Sequence, residues 1–275
     1  MTEAQQAILE VRGLTQRFGG IIANNNISFD VQRHSVTSLI GPNGAGKTTV
    51  FNCITGFYQA SSGSIALHRA NGQCSHIAEL LTRPFTGGSH QVTRAGIART
   101  FQNIRLFKDM TVLENLLVAQ HRRLDNNLWR GMWATASFET HEQQGVETAM
   151  HWLERLDLTD QANRLAGELP YGRQRTLEIA RAMCTDPILI CLDEPAAGLN
   201  SIETERLAEL IHLLRTEFSV TILLIEHDMS LVMDISDHIV VLDHGVVIAE
   251  GKPDGIREHP EVITAYLGTI DEDAL

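Results

Sequence analysis

Gly41, Pro42, Asn43, Gly44, Ala45, Gly46, Lys47 and Thr48 stand in the spacing GxxxxGK(S/T), and Thr49 follows them. Glycines in such a loop let the backbone curl so that successive N–H groups point at phosphate oxygens. A helix starting where the loop ends adds the favourable end of its dipole. Lys47 then reaches the β- and γ-phosphates of a nucleotide, and the Thr48 hydroxyl is placed to bind Mg²⁺. The bland alternative is a glycine-rich turn with a stray lysine. The apolar strand-like run at 36–40 and the helical run after Gly46 oppose it, because they supply the context the loop requires. A second cluster lies far downstream, where the apolar run 188–192 ends in Asp193, Glu194 and Pro195. A carboxylate at the end of a buried strand beside a phosphate loop can hold Mg²⁺ through water, which is the role expected of Asp193. Glu194 can polarise an attacking water as general base. Alone, the pair reads equally well as an acidic strand end capped by a turn; the phosphate loop decides between the two readings.

These residues need elements to carry them. The first forty residues read as strands at 8–11, 27–31 and 36–40, broken by Gly, Asn and charged residues. A helix is expected from Gly46 or Lys47 to about Thr55, and 68–93 looks like a loop-rich insertion. Spacing of apolar residues predicts amphipathic helices at 112–120 and 146–156, so that 105–165 looks helical; the polar stretch between them, with Trp129 and Trp133, has no clear assignment and its tryptophans read as packing residues. After Pro170 helices expected at 173–184 and 202–216 alternate with apolar strands at 188–192 and 220–225, a short helix follows, and strands at 239–242 and 246–249 flank a turn at His244 and Gly245. Uninterrupted apolar strands alternating with helices imply a parallel sheet covered on both faces, hence an α/β fold. Asp271, Glu272 and Asp273 read as a solvated tail, and there is no internal repeat.

Composition narrows the function classes. The chain has 275 residues, room for one large domain or two modest ones, and its 43% hydrophobic and 20% charged content is globular rather than disordered. A net charge of -12 weighs against nucleic acid as a partner. No apolar run approaches the ~18 residues that span a bilayer, and the first ten residues lack the basic start and apolar stretch of a secretory signal. Cys53, Cys74, Cys184 and Cys191 have no CxxC spacing and read as thiols of a reducing compartment.

Five further segments complete a pattern. Gln102 follows Arg99, Thr100 and Phe101; Leu169, Pro170, Tyr171, Gly172 and Arg173 precede the strand at 188–192; Gly198, Leu199 and Asn200 follow Glu194; His227 stands between Glu226 and Asp228; and Phe18 lies in Arg17-Phe18-Gly19-Gly20. Taken singly, Phe18 could be a core aromatic, Gln102 a surface amide and His227 a solvent-facing histidine. In this order and spacing the chain resembles an ABC-transporter ATPase over nearly its whole length. The segments 50–56, 113–120, 177–181, 194–200 and 226–229, with Ala265-Tyr266-Leu267-Gly268, narrow the likeness to the ATP-binding subunit of bacterial high-affinity branched-chain amino acid importers.

The resemblance implies a P-loop NTPase with a RecA-like core, an antiparallel β region and an inserted helical subdomain: core and β region at 1–104, helical subdomain at 105–165, the remaining core at 166–275. It implies ATP and Mg²⁺ as cofactors, Phe18 stacking on adenine, and Gly41 to Thr49 cradling the phosphates. Thr48, Gln102 and Asp193 would serve the metal, and Glu194, His227 and Gln102 hydrolysis. Leu169, Tyr171, Gly172 and Arg173 occupy the place of the LSGGQ signature, which addresses the ATP of a second subunit. The implied partners are two membrane permease subunits, a second ATPase (a different one rather than a second copy) and, indirectly, an extracytoplasmic solute-binding protein, with the chain peripheral on the cytoplasmic face of the inner membrane. Pro170 departs from the pattern: it lacks both the hydroxyl and the N–H of the serine usual there. Tyr171, Arg173 and Asn200 replace the usual glycine, glutamine and aspartate. The competing readings are the ATPase of a lipid or lipopolysaccharide exporter, a soluble ABC ATPase, and a non-catalytic partner cassette. A single cassette without heptads opposes the second, and intact Lys47 and Glu194 oppose the third.

Overall fold

The structure, a computed structural model, describes residues 7–120 and 136–272. The expected strands at 8–11 and 27–31 are parts of two long ones. β1 (Ala7–Phe18) and β2 (Ile21–Gln32) pair antiparallel around Gly19 and Gly20, with Leu14 opposite Ile27 and both fully buried. β4 (Ser62–His68) and β5 (Cys74–His76) extend this sheet in the order β2-β1-β4-β5.

The second sheet runs β10-β9-β3-β8-β7-β6. β3 (Val36–Ile40), β6 (Ile97–Arg99), β7 (Leu189–Asp193), β8 (Thr221–Ile225) and β9 (His238–Asp243) are parallel, and β10 (Val246–Gly251) closes one edge antiparallel to β9. Every residue of β3, β7 and β8 is buried, as a sheet covered on both faces requires. Because side chains alternate, Leu189, Cys191, Leu223 and Ile225 join one apolar cluster with Phe51, Ile54 and the β1–β2 sheet, while Ile190, Leu192, Ile222 and Leu224 join another with Leu116, Leu153, Leu177 and Ile211. The ends of β3, β7 and β8 therefore emerge side by side, which is where an open α/β sheet places its ligands.

The helices are α1 (Lys47–Ile54), α2 (Ile77–Thr82), α3 (Ser89–Ala95), α4 (Val112–Ala119), α5 (Ala136–Arg155), α6 (Tyr171–Met183), α7 (Ser201–Thr216), α8 (Met229–Ile235), α9 (Pro253–Arg257) and α10 (Pro260–Glu272). Three regions differ from expectation. The span read as a loop-rich insertion contains β5, α2 and α3, because Ile77, Leu80, Val92 and Ala95 bury against the sheet and supply tertiary support that the local sequence does not display. α5 begins ten residues before the expected Val146. The supposed tail at Asp271 and Glu272 is the last turn of α10, while Trp129, Trp133 and Asp273 lie outside the described residues. Among the described residues, no helix is long and apolar enough to cross a membrane.

Candidate functional site

The loop between β3 and α1 is shaped by two glycines that no other residue could replace without movement. Gly41 has φ +146, and a β-carbon there would lie 2.0 Å from the Leu242 carbonyl oxygen; Gly46 has φ +96, and a β-carbon would lie 2.3 Å from Asn24 Nδ2. Asn24 is fully buried on β2 and donates to Gly46 O at 3.2 Å, while Gly245 N donates to Ala45 O at 3.1 Å. The loop is thus gripped by both sheets. Lys47 is buried, and its ammonium donates to Gly41 O at 2.6 Å and Pro42 O at 2.9 Å. Burial lowers its pKa, and the charge of Glu194 opposes that shift. Asn43, Gly44 and Thr48 are exposed, Pro42 and Thr49 half-buried, and Ala45 is packed inward.

Asp193 closes β7 and is buried with Arg99 in an ion pair of 2.7 Å. The same guanidinium donates to Asn52 Oδ1 at 2.6 Å and Thr55 Oγ1 at 3.0 Å, and Phe51, Phe57 and Phe101 surround it. Asp193 is thereby tied to the far end of α1. Glu194, next in the chain, has φ +46, a strained conformation for a residue with a β-carbon. Its N–H donates to Ile225 O at 2.9 Å. Its Oε2 accepts from Gln102 Nε2 at 2.8 Å and lies 3.8 Å from His227 Nδ1. Gln102, Glu194 and His227 thus meet although they are spread over more than a hundred residues of chain.

Phe18 is 43% exposed, at the end of β1, and meets Tyr58 edge-to-face with centroids 5.2 Å apart. It presents ring surface to solvent and is no core aromatic.

The signature-like segment stands apart: among the described residues, no hydrogen bond joins it to Lys47, Asp193 or Glu194. Leu169 is buried, and its carbonyl accepts from Gln174 Nε2 at 2.8 Å. Pro170 is the N-cap of α6, where its missing N–H costs nothing, but no side chain caps the helix. Tyr171 is exposed, and a β-carbon on Gly172 would lie 2.4 Å from Glu203 Oε1. Arg173 is turned away toward Asp157, donating to its carboxylate at 2.9 Å and to its carbonyl at 3.0 Å. Asn200 caps α7 in a reciprocal box with Glu203.

Four residues near the site escaped a role on sequence grounds. Arg99 holds Asp193. Arg175 and Glu178, both buried on α6, pair at 2.8 Å; Arg175 donates to Phe101 O and Gln102 O at 2.7 and 2.8 Å, and Glu178 accepts from Arg105 N at 3.1 Å. Glu226 is fully buried at the end of β8. No local pattern marks them, since most of their partners lie more than forty residues away or are backbone. Among the described residues, no three His, Cys, Asp or Glu side chains converge on a possible metal position.

The comparisons with known proteins agree with this geometry. The ABC transporter family matches residues 24–197, and the family described as branched-chain amino acid ATP-binding cassette transporter matches residues 246–272. A high-affinity branched-chain amino acid transport ATP-binding protein of Pseudomonas aeruginosa is 56% identical over 261 residues, covering 95% of this chain and 98% of that protein. Its counterpart in Escherichia coli is 51% identical over 263 residues, covering 96% and 98%. A solved ATP-binding cassette of an ABC transporter in its ADP conformation superposes with a TM-score of 0.79 at 32% identity, covering 96% of this chain and all of that one. The sheet ends, the glycine-shaped loop and the similarity along the whole chain converge: this chain belongs to the ABC transporter ATP-binding family, in its branched-chain amino acid group, a family whose members bind and hydrolyse ATP to drive transport.

Proposed function

We propose that this chain is the ATP-hydrolysing subunit of an importer for leucine, isoleucine, valine or related amino acids or amides. The observation that carries the catalytic half is the meeting of Gln102, Glu194 and His227 beside the Lys47 loop. The substrate class rests on similarity along the whole chain to the branched-chain amino acid transport proteins.

In this reading the N–H groups of 41–49 and the Lys47 ammonium hold the β- and γ-phosphates, and the exposed face of Phe18 stacks on adenine. Glu194 accepts a proton from the attacking water, His227 contacts the γ-phosphate, and Gln102 senses it. The donor set fits Mg²⁺: the Thr48 hydroxyl, the Gln102 amide oxygen and, through water, the Asp193 carboxylate would hold it as hard oxygen ligands. The ion supplies charge neutralisation on the phosphates. Leu169, Tyr171, Gly172 and Arg173 address the ATP of a partner cassette. The turn of Arg173 toward Asp157 leaves the exposed Tyr171 and the first turn of α6 as the contact face. The chain divides into core and β region at 1–104, helical subdomain at 105–165 and remaining core at 166–275. It works with two permeases and a second, different ATPase on the cytoplasmic face of the membrane, is fed by a solute-binding protein outside, and does not bind nucleic acid. ATP favours the closed pair and hydrolysis releases it, a population shift set by differential binding.

Mass spectrometry of what co-purifies with the tagged chain from detergent-solubilised membranes, followed by uptake of labelled leucine, tests this. Two hydrophobic permeases, a second cassette and ATP-dependent uptake are expected. Recovery of a lipid or lipopolysaccharide export machine, or of ribosomes or repair proteins without membrane subunits, overturns the importer.

A further inference from the structure

Glu226 is a fully buried carboxylate, one residue beyond β8, to which the mechanism above assigns nothing. Its two oxygens work in different directions. Oε1 accepts the N–H of Ala196 at 2.7 Å; Oε2 accepts those of His227 at 3.0 Å and, more weakly, Asp228 at 3.5 Å. Ala196 lies two residues after Glu194. The turn Glu194-Pro195-Ala196 is therefore clamped at both ends by consecutive residues leaving β8: Glu194 N–H on Ile225 O at 2.9 Å, and Ala196 N–H on the Glu226 carboxylate. Pro195, between them, has no N–H to contribute. A strained residue such as Glu194, at φ +46, persists only where its surroundings over-determine it, and this clamp does so. The two oxygens of a carboxylate give an acceptor on each side; burial raises the Glu226 pKa, and the backbone N–H bonds from Ala196, His227 and Asp228 oppose that shift. A glutamine of the same shape would turn its NH₂ against the N–H donors on one side.

We infer that Glu226 is a positioning residue for ATP hydrolysis: one buried carboxylate sets the backbone of the turn that aims Glu194 and of the turn that aims His227, and so keeps the two in a common register. The inference rests on the reading of Glu194 and His227 as the hydrolytic pair. It concerns the hydrolytic step and not nucleotide capture, because Glu226 has no contact with residues 41–49 among its hydrogen bonds.

The test uses the full-length chain purified with its membrane partners, carrying Glu226→Gln, beside Glu194→Gln and His227→Ala. ATP affinity is read with a fluorescent nucleotide, turnover by phosphate release, and folding by thermal melting. Loss of one hydrogen bond to a charged acceptor at a site needing sub-ångström alignment is expected to lower kcat about tenfold or more, with nucleotide affinity within about twofold of the parent. If Glu226→Gln does not fold, Glu226→Asp, which keeps the charge but shortens the arm, carries the same expectation. A folded variant with full kcat overturns the inference, as does a parallel fall of kcat and ATP affinity, which marks a merely structural role. Turnover lost in Glu194→Gln but kept in Glu226→Gln overturns this inference alone. Turnover kept in Glu194→Gln overturns the hydrolytic pair and this inference with it.

Discussion

At Glu194 the strained backbone, the 2.8 Å bond from Gln102 and the nearby His227 imidazole all bear on one carboxylate. Replacing it by glutamine keeps the shape and removes the proton acceptor. Turnover of Glu194→Gln is expected to fall by roughly 10² to 10⁴, the usual worth of a general base, with ATP affinity retained; phosphate release and nucleotide titration check both halves. Lys47→Ala acts on the other half, since the buried ammonium has no substitute for the phosphates, and nucleotide affinity itself is expected to be lost. The thiols make a prediction independent of the site. Cys74 is exposed, whereas Cys53, Cys184 and Cys191 are buried, so a thiol reagent at neutral pH should label Cys74 fast and the other three only after unfolding. Burial raises Cys53 from 9.0 to about 11 and Cys191 from 9.0 to about 12. Between about pH 9 and 12 the folded chain therefore keeps protons that the unfolded chain has released, and these two groups make stability fall as pH rises; below that range they contribute no slope. Urea midpoints at pH 8 and pH 10 measure the effect.

Elements in this protein are held at their ends and to one another by polar side chains that can be removed singly. Thr111 and Glu114 form a reciprocal capping box at the start of α4, and the hydrogen bonds from Thr111 hold the Glu114 carboxyl below its usual pKa. Thr111→Ala is expected to cost about 1 kcal/mol in urea unfolding. The Arg175–Glu178 pair matters more, because it is buried and its donors hold the backbone of Phe101 and Gln102 to α6. Arg175→Met leaves Glu178 an uncompensated buried charge, and a loss of roughly 3–5 kcal/mol is expected. Removing Glu178 as well should recover part of it. The same pair ties Gln102, whose side chain reaches Glu194, to the helix that begins at the signature-like segment. The pair therefore links α6 to the Glu194 carboxylate through the main chain of Gln102.

For the whole molecule, the separation of Tyr171 and Gly172 from the Lys47–Glu194 cluster is the decisive feature. Among the described residues no hydrogen bond joins the signature-like segment to the phosphate loop of its own chain, the arrangement expected if, as proposed, it serves the ATP of a second cassette. With ATP and Mg²⁺, Glu194→Gln is expected to elute as a cassette pair when the second, different ATPase is added and as a single chain without it; size-exclusion chromatography distinguishes the two. Elution as a pair without the second cassette would establish a homodimer.

The sequence alone was enough for the phosphate loop, the strands at 36–40 and 188–192, the alternation of helix and buried strand, and the family, because each is written in residues close together in the chain. A glycine spacing, an apolar run or an Asp-Glu step constrains its own neighbourhood whatever the rest does. It did not disclose α2 and α3, whose helicity depends on Ile77, Leu80, Val92 and Ala95 finding a sheet to bury against. Nor did it disclose the parts played by Arg99, Arg175 and Glu226. An arginine or glutamate has no fixed meaning until its partners are known, and those partners are Asp193, the carbonyls of Phe101 and Gln102, and the N–H of Ala196. They lie 94, 74, 73 and 30 residues away in the chain. The parallel order β8-β7-β6 brings those strand ends together. A buried charge acquires its role from whatever donors or acceptors the tertiary fold places within about 3 Å of it.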